Sequence, residues 1–255
     1  MNPKSINTAL QTLKLMPGEA VRGKLLKANP CLEVKELRGE DAVRVILTVE
    51  EARKLFPWEW ATVRDNNVVY KARKLAACTR LRIGELRGLR GEYVLENHIH
   101  ITGQYTNTGY VNYTKTKHSR YIPVSPVMRP ELEELLAVNG EGYVFSEDGG
   151  KTPVTVDQLH RQLDRALKNI GISYEEKRER NLTFHSWRHF LNTLLRMSNV
   201  ADSKVQAVTG HLTKEMTDHY THFDTRQFAE VRNVQTELLT FKEPEKTMAA
   251  EKATA

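Results

Sequence analysis

Apolar and polar residues recur with two different periods along this chain of 255 residues. Over about the first thirty residues the apolar positions follow helical spacing and predict helices at 5–15 and 18–27. Pro17-Gly18 is predicted to separate these helices, because proline lacks the amide hydrogen that a helix interior needs. Residues 32–45 are a mixture of opposite charges, which is typical of a linker. We therefore place a domain boundary near residue 45 and expect residues 1–44 to be too short for a core of their own.

After residue 45 the apolar residues again follow helical spacing, except in one region where apolar and polar residues alternate with the period of two that is typical of a strand. Thr48 and Glu51 have the spacing of a capping box, which predicts a helix start. Further helices are predicted over residues 68–77, 81–89, 130–138, 156–169, 185–197, 203–208, 213–219 and 225–239, and glycines at 171 and 210 end two of them. Alternation over residues 93–95, 98–101 and 120–124 predicts a small antiparallel sheet.

The predicted fold class is therefore α+β and mostly α-helical, with one small antiparallel sheet near the middle of a domain over residues 45–241. The apolar positions 228, 231, 234, 238 and 239 predict one apolar face on the last helix. Residues 242–255 are charged, rich in alanine and unpatterned, so we expect them to be poorly ordered.

Composition excludes several classes of protein. No segment approaches the roughly 20 apolar residues of a membrane span, and the first residues do not resemble a secretion signal, so we expect a soluble cytoplasmic protein. Cys31 and Cys78 form no C-x-x-C pair, which argues against a disulfide framework or a thiolate zinc site. The net charge of +6 suits a polyanionic partner such as DNA, although many basic proteins have none.

Two cationic residues lie where a loop is predicted to meet an element. Arg82 starts a predicted helix, where backbone amides and a guanidinium can converge on one phosphate. Alternatively, Arg82 is a surface arginine that pairs with Glu85 three residues later on the helix. Lys115 lies in a predicted hairpin turn, where a lysine either solvates the loop or reaches a substrate as a mobile proton donor.

His185 and Arg188 are three residues apart on one predicted helix, so both side chains can address one substrate group. The imidazole of His185 can accept or donate a proton, and the permanently charged planar guanidinium of Arg188 fits phosphate oxygens. A buried histidine is an alternative, and so is a metal site, because His185 and His189 have i, i+4 spacing. Zinc hydrolases of the H-E-x-x-H type have a glutamate where this chain has Ser186, which argues against the metal.

Tyr220 follows His211 by nine residues and lies in the polar sequence His219-Tyr-Thr-His222. A tyrosine in that setting is poorly explained by core packing and well placed as a nucleophile. Since the pKa of a phenol is about 10, attack at neutral pH needs a base and nearby cations.

In their order and spacing these residues resemble the tyrosine recombinase (phage integrase) family, and the likeness runs from about residue 48 to 223. The family's arginine and following acidic residue match Arg82 and Glu85, and its hairpin lysine, eight residues before a strand proline, matches Lys115. Its H-x-x-R, G-H and nucleophile match the remaining positions, which are His185, Arg188, Gly210-His211 and Tyr220.

The resemblance implies a site-specific recombinase that cuts and rejoins double-stranded DNA through a 3′-phosphotyrosyl bond, without metal or ATP. Tyr220 would be the nucleophile, Lys115 the general acid, and His185 the group that assists proton transfer at the tyrosine. Arg82, Arg188 and His211 would contact the phosphate, with Glu85 and His189 supporting them. The family also implies a homo-oligomer, a tetrameric synapse on DNA.

The chain departs from the family pattern in three places. Arg80 stands where the family usually has glycine, so the turn before Arg82 is altered or carries one more cation. Trp187 replaces a common leucine and is expected to pack inward. Residues 1–44 resemble only the last part of an N-terminal core-binding domain and its linker. The resemblance also favours packing of the last helix on a neighbouring protomer when DNA is bound, with packing on its own domain as the alternative.

Two other functions use the same residues. A relaxing enzyme of the type IB topoisomerase kind has the same active-site chemistry and acts without a specific site. A catalytically silent DNA-binding module would retain the residues without assembling a productive synapse.

Overall fold

The fold was taken from a computed structural model, which describes residues 3–38, 46–56, 67–114, 118–209 and 228–240. The chain divides into two compact units, Met1–Arg44 and Val45–Ala255. The helices predicted over 213–219 and the tail over 242–255 lie outside the described residues. Among the helices that are described, none combines the length and the apolarity needed to cross a membrane.

The first unit contains one long helix, α1 (Pro3–Arg22), which runs through Pro17. The predicted break at Pro17-Gly18 is therefore wrong. A proline opens the backbone ladder on the turn before it, and here the Asn29 amide donates to the carbonyl oxygen of Lys14 (2.8 Å) in that region. None of the described residues of this unit is buried, and several of its apolar side chains, such as Met16 and Leu25, are exposed.

The helices of the second unit confirm most of the predicted ones. In chain order they are α2 (Val49–Lys54), α3 (Asn67–Thr79), α4 (Ile83–Arg87), α5 (Arg129–Asn139), α6 (Val156–Asn169), α7 (Tyr174–Glu179), α8 (Ser186–Met197), α9 (Asp202–Thr209) and α10 (Ala229–Thr240). The capping box of Thr48 and Glu51 is present. Helix α7 was not predicted, because it buries no residue and its sequence therefore has no apolar period.

The predicted pairing of the sheet is confirmed for strands β1 (His98–Ile101) and β4 (Arg120–Pro123), which are antiparallel with Ile99 opposite Ile122. The strand predicted over residues 93–95 is wrong. A 3-10 turn over Gly91–Tyr93 occupies part of it, and a single bridge joins Val94 to Ile99. The connection between β1 and β4 forms a second hairpin, β2 (Gln104–Thr106) and β3 (Gly109–Val111), which the polar composition of the segment concealed.

Helix α3 packs on both α6 and α8 in the core of the second unit, so the helix before Arg82 lies directly against the helix that carries Arg188. Trp187 is buried against Phe56 and Phe190, with ring centroids 5.4 and 5.9 Å away, as predicted. These contacts set the relative positions of the two arginine-bearing segments.

The last helix, α10, packs on α2, α8 and the 3-10 turn over Pro126–Met128 of its own domain. Its predicted apolar face is confirmed, because Val231 and Leu238 are buried, as is Phe228 just before the helix. Gln235 is fully buried on the same face, and its amide nitrogen donates to the carbonyl oxygens of Cys78 (2.7 Å) and Pro123 (3.0 Å). One side chain thus joins α10 to the end of α3 and to β4.

Replacing Gln235 by alanine is expected to lower the free energy of unfolding by about 1 to 3 kcal/mol, because it leaves two buried carbonyl oxygens without this donor. Urea denaturation measures the change. Asn233→Ala removes an exposed amide from the same helix and is expected to stay within about 0.5 kcal/mol of wild type. Equal effects of the two substitutions would show that the bridge contributes nothing to stability.

Candidate active site

Arg82 lies between two helices, α3 and α4. It is the residue before the first turn of α4, in an extended conformation (φ −68°, ψ 151°). This confirms the prediction that it stands where a loop becomes a helix. Its side chain is 20% exposed, so the guanidinium is anchored yet still accessible to a substrate.

Glu85 holds Arg82 at two points. One carboxylate oxygen accepts a hydrogen bond from the Arg82 backbone amide (2.9 Å), and the other accepts from the Arg82 guanidinium (2.8 Å). The Glu85 side chain is fully buried. The ion pair between Arg82 and Glu85 that the sequence suggested is therefore present, but it is not a surface pair, because the Glu85 side chain is buried.

Arg120, on strand β4, is a second buried partner of Glu85. Its two terminal nitrogens donate to the two carboxylate oxygens, at 3.1 and 2.7 Å, and its side chain is 3% exposed. Sequence reasoning missed this residue. A signal was present, because strand alternation places Arg120 on the same face as Ile122, which is fully buried. A charge at an inward strand position needs a buried counterion.

Arg188 lies in the first turn of α8 and is 4% exposed. Its guanidinium donates to the carbonyl oxygen of Arg80 (3.0 Å), and the guanidinium of Arg80 donates to the carbonyl oxygen of Arg188 (2.8 Å). These reciprocal bonds connect two residues that are 108 positions apart in the sequence. The structure thus brings together Arg82, Glu85 and Arg188.

The two histidines of the motif lie at the start of the same helix. His185 precedes the first turn of α8 and is exposed, whereas His189 is half-buried one turn later. Their rings are 5.2 Å apart in an edge-to-face arrangement. Exposure argues against a buried core role for His185. Among the described residues no third histidine, cysteine or carboxylate joins them in a group that could hold a metal ion.

The arginines form one cationic cluster around a single buried carboxylate, that of Glu85. Burial, together with the charges of Arg188, Arg82 and Arg120, lowers the pKa of Arg80 to about 9, although the charge of Glu85 acts in the opposite direction. Burial and the neighbouring Arg82 likewise lower the pKa of Arg188 to about 10. With these pKa values Arg80 and Arg188 are still charged at neutral pH. Such a concentration of positive charge is suited to binding an anion with several oxygens.

Glu85 stays ionised inside this cluster. Burial by itself would raise its pKa, but the hydrogen bonds and charge of Arg120 and the contacts of Arg82 outweigh burial and lower the pKa to about 2. The carboxylate therefore keeps its negative charge at neutral pH.

Three of the predicted site residues, Lys115, His211 and Tyr220, lie outside the described residues. The structure describes the chain on both sides of Lys115, where the Thr114 hydroxyl donates to the carbonyl oxygen of His118 (2.8 Å) two residues before β4. The roles of these three residues therefore stay predictions.

Residues 43–227 match the phage integrase family, a match that covers well over half of the chain. The chain belongs to the phage integrase family. Membership identifies it as a tyrosine-type enzyme of DNA cleavage and rejoining. One relative, the tyrosine recombinase XerC of Thermodesulfovibrio yellowstonii, is 26% identical over 223 residues that cover 81% of this chain and 67% of the relative.

Solved structures of integrases share the fold. The Tn1549 transposon integrase in complex with circular intermediate DNA superposes with a TM-score of 0.65 at 23% identity, covering 91% of this chain and 79% of that one. A lambda integrase dimer bound to a core site gives 0.58 at 17% identity, covering 88% and 82%. A lambda integrase tetramer bound to a Holliday junction gives 0.60 at 19% identity, covering 88% and 66%. The predicted fold class is confirmed.

Proposed function

We propose that this chain cuts and rejoins double-stranded DNA at a specific recombination site through a covalent bond between Tyr220 and a phosphate. The observation that carries the proposal is the arginine cluster, in which Arg82 and Arg188 are held by buried partners while Arg82 keeps an accessible edge. A buried scaffold around a group that reaches solvent is the arrangement that preorganised charge stabilisation requires.

In the proposed reaction the phenolic oxygen of Tyr220 attacks the scissile phosphorus. The bond to the 5′-oxygen breaks as the 3′-phosphotyrosyl bond forms, so the number of phosphoester bonds is unchanged and no ATP is consumed. His185 assists removal of the phenolic proton, and Lys115 supplies a proton to the leaving 5′-oxygen. A free 5′-hydroxyl later attacks the phosphotyrosine in the reverse sense and rejoins the strand.

The cations act on the transition state. Arg82 and Arg188 hold the non-bridging oxygens of the phosphate and stabilise the charge that accumulates on them, and His211 donates a further hydrogen bond. Glu85 supports this arrangement through its contacts with Arg82. His189, beside His185, supports the orientation of that ring.

The proposed partners are DNA carrying the recombination site and further copies of the chain. A tetrameric synapse is the assembly we propose, supported by the relatives solved as a dimer and a tetramer on DNA. We assign residues 45–241 to the catalytic domain and residues 1–44 to part of a core-binding domain with its linker. Several apolar side chains of that first unit are exposed, which supports the assignment because such side chains are normally covered by further protein. We place the reaction on DNA in the cytoplasm.

A nicked suicide substrate that contains the recognised site tests the proposal. After cleavage the short fragment beyond the nick dissociates, so rejoining is blocked and a covalent protein–DNA adduct accumulates on a denaturing gel. Binding of the site without any adduct would refute catalysis and favour a silent DNA-binding module. Relaxation of a supercoiled plasmid that lacks the site would instead indicate an activity of the topoisomerase type.

Chelation is expected to leave cleavage unchanged. The proposed steps use only side chains for proton transfer and charge stabilisation, so single-turnover adduct formation in excess EDTA should match the rate without it within about twofold. Ionic strength is kept equal in both reactions, because phosphate contacts make DNA binding depend on salt. Loss of cleavage that added zinc restores would revive a metal site at His185 and His189.

A further inference from the structure

Arg80 adopts a backbone conformation that favours glycine. It follows the last residue of α3 with φ +59°, and its amide donates to the carbonyl oxygen of Ala76 (3.1 Å), which closes the helix. A left-handed conformation is costly for a residue with a Cβ atom. The other described non-glycine residues with positive φ, Lys24, Asn181 and Asn199, are exposed, whereas Arg80 is 4% exposed.

Burial adds a second cost, because it removes the guanidinium from water. Arg80 therefore combines a strained backbone with a desolvated charge at one position. A glycine at this position would close the helix without either cost. The compensation must come from what the Arg80 side chain contacts.

The Arg80 side chain contacts the segment that carries the second motif arginine. Its Nε donates to the carbonyl oxygen of Arg188 (2.8 Å), while Arg188 Nη1 donates to the carbonyl oxygen of Arg80 (3.0 Å). Each residue thus binds the backbone of the other, and both are buried. We call this pair of bonds the Arg80–Arg188 clasp.

The clasp spans the two segments that bear the phosphate-binding groups. Arg80 is two residues before Arg82, and Arg188 is in the same helical turn as His185. A charged donor held on a buried carbonyl oxygen restricts the rotation of both segments. It therefore sets the position of the Arg188 guanidinium relative to Arg82.

We propose that Arg80 is a positioning residue of the recombination reaction, which acts through the clasp to hold Arg188 in place for the scissile phosphate. This inference rests on the proposed function of the cluster. It assigns to Arg80 a role that a glycine at the same position could not perform, because glycine has no side chain to reach Arg188.

The test compares Arg80→Gly and Arg80→Lys with wild type in single-turnover cleavage of the suicide substrate. Glycine suits φ +59° and removes the bond from the Arg80 side chain to the Arg188 carbonyl oxygen without straining the backbone, while the carbonyl oxygen that Arg188 binds is kept. Lysine keeps the charge but lacks the planar fork of arginine. We expect both variants to cleave about 10- to 100-fold more slowly, with DNA affinity within about threefold of wild type. Full rescue by lysine would show that Arg80 acts by charge alone and would overturn the positioning role.

A double-substitution cycle separates positioning from a general effect on folding. If Arg80 acts through Arg188, Arg80→Gly should slow cleavage by less than about threefold once Arg188→Ala is present, because residues that act as one unit are not additive. Equal slowing in both backgrounds would contradict the proposal. Asn199→Gly, at an exposed left-handed position, is the matched control and should leave the rate unchanged.

A substrate with a methylphosphonate at the scissile position provides a readout that fold stability does not affect. Replacing one non-bridging oxygen by methyl removes the phosphate charge that Arg188 stabilises, so the Arg80→Gly defect should shrink at least severalfold. An undiminished defect would assign Arg80 to fold stability instead. A wild-type protein that forms no adduct would refute the proposed function itself. If wild type cleaves and Arg80→Gly cleaves at the same rate, only the positioning role of Arg80 is refuted.

Discussion

Tyr220→Phe is expected to abolish the covalent adduct on the suicide substrate, lowering its rate of formation by at least about a thousandfold. Phenylalanine keeps the aromatic ring and removes only the oxygen that attacks phosphorus, so binding of the site should remain within about threefold of wild type. The measurement is adduct formation on a denaturing gel beside binding of the same DNA in a native gel.

Tyr174→Phe is the matched control for this substitution. Tyr174 is 70% exposed at the start of α7, and loss of its hydroxyl is expected to leave the adduct rate unchanged. An adduct that persists in Tyr220→Phe would identify another nucleophile and contradict the assignment. Loss of both binding and adduct would point to a folding defect, which circular dichroism of the variant detects.

Glu85→Gln is expected to have the second-largest effect, on stability and on cleavage together. The ordinary pKa of 4.5 falls to about 2 for this carboxyl, and at about 1.4 kcal/mol per pKa unit the difference corresponds to about 3 kcal/mol of stability at neutral pH. The substitution leaves Arg120, which is 3% exposed, without its buried counterion. Cleavage should fall as well, because Arg82 loses the carboxylate that orients it.

The effect of Glu85 should depend on pH in one direction. Because the pKa in the folded protein lies below the ordinary value, the carboxylate stabilises the fold above about pH 4.5, and this stabilisation is lost as the pH falls towards 2. Urea denaturation should therefore show a gap between wild type and Glu85→Gln that is full at pH 7 and narrows below pH 4.5.

Glu92→Gln is the control for the pH series. Glu92 pairs with Arg90 at the surface, with side chains 44% and 39% exposed, so its loss should cost less than about 1 kcal/mol at any of these pH values. A gap for Glu85→Gln that stayed constant from pH 7 to 3 would show that the ionised carboxylate is not the source of the stabilisation.

Much of the local structure could be predicted from the sequence. The capping box of Thr48 and Glu51, the helix over Val156–Asn169 and the pairing of β1 with β4 follow from caps, glycine stops and periods that act over a few residues. The position of Arg82 at a helix start and its contact with Glu85 belong to the same class, because the two residues are one helical turn apart.

Features that depend on distant contacts could not be predicted in this way. Helix α1 continues through Pro17, where Asn29 donates to a backbone oxygen on the turn before the proline. On helix α10, Gln235 donates to carbonyl oxygens on α3 and β4. Local propensity carries no information about either contact, and tertiary packing overrides it.

The sequence by itself determined the types, order and spacing of the chemical groups, from Arg82 to Tyr220, because these are properties of the chain as written. Only the tertiary structure decided that Arg120 neutralises Glu85 and that Arg80 and Arg188 clasp each other across 108 residues. The physical reason is burial. A guanidinium removed from water must find its partner wherever folding brings one near, and that partner need not be close in sequence.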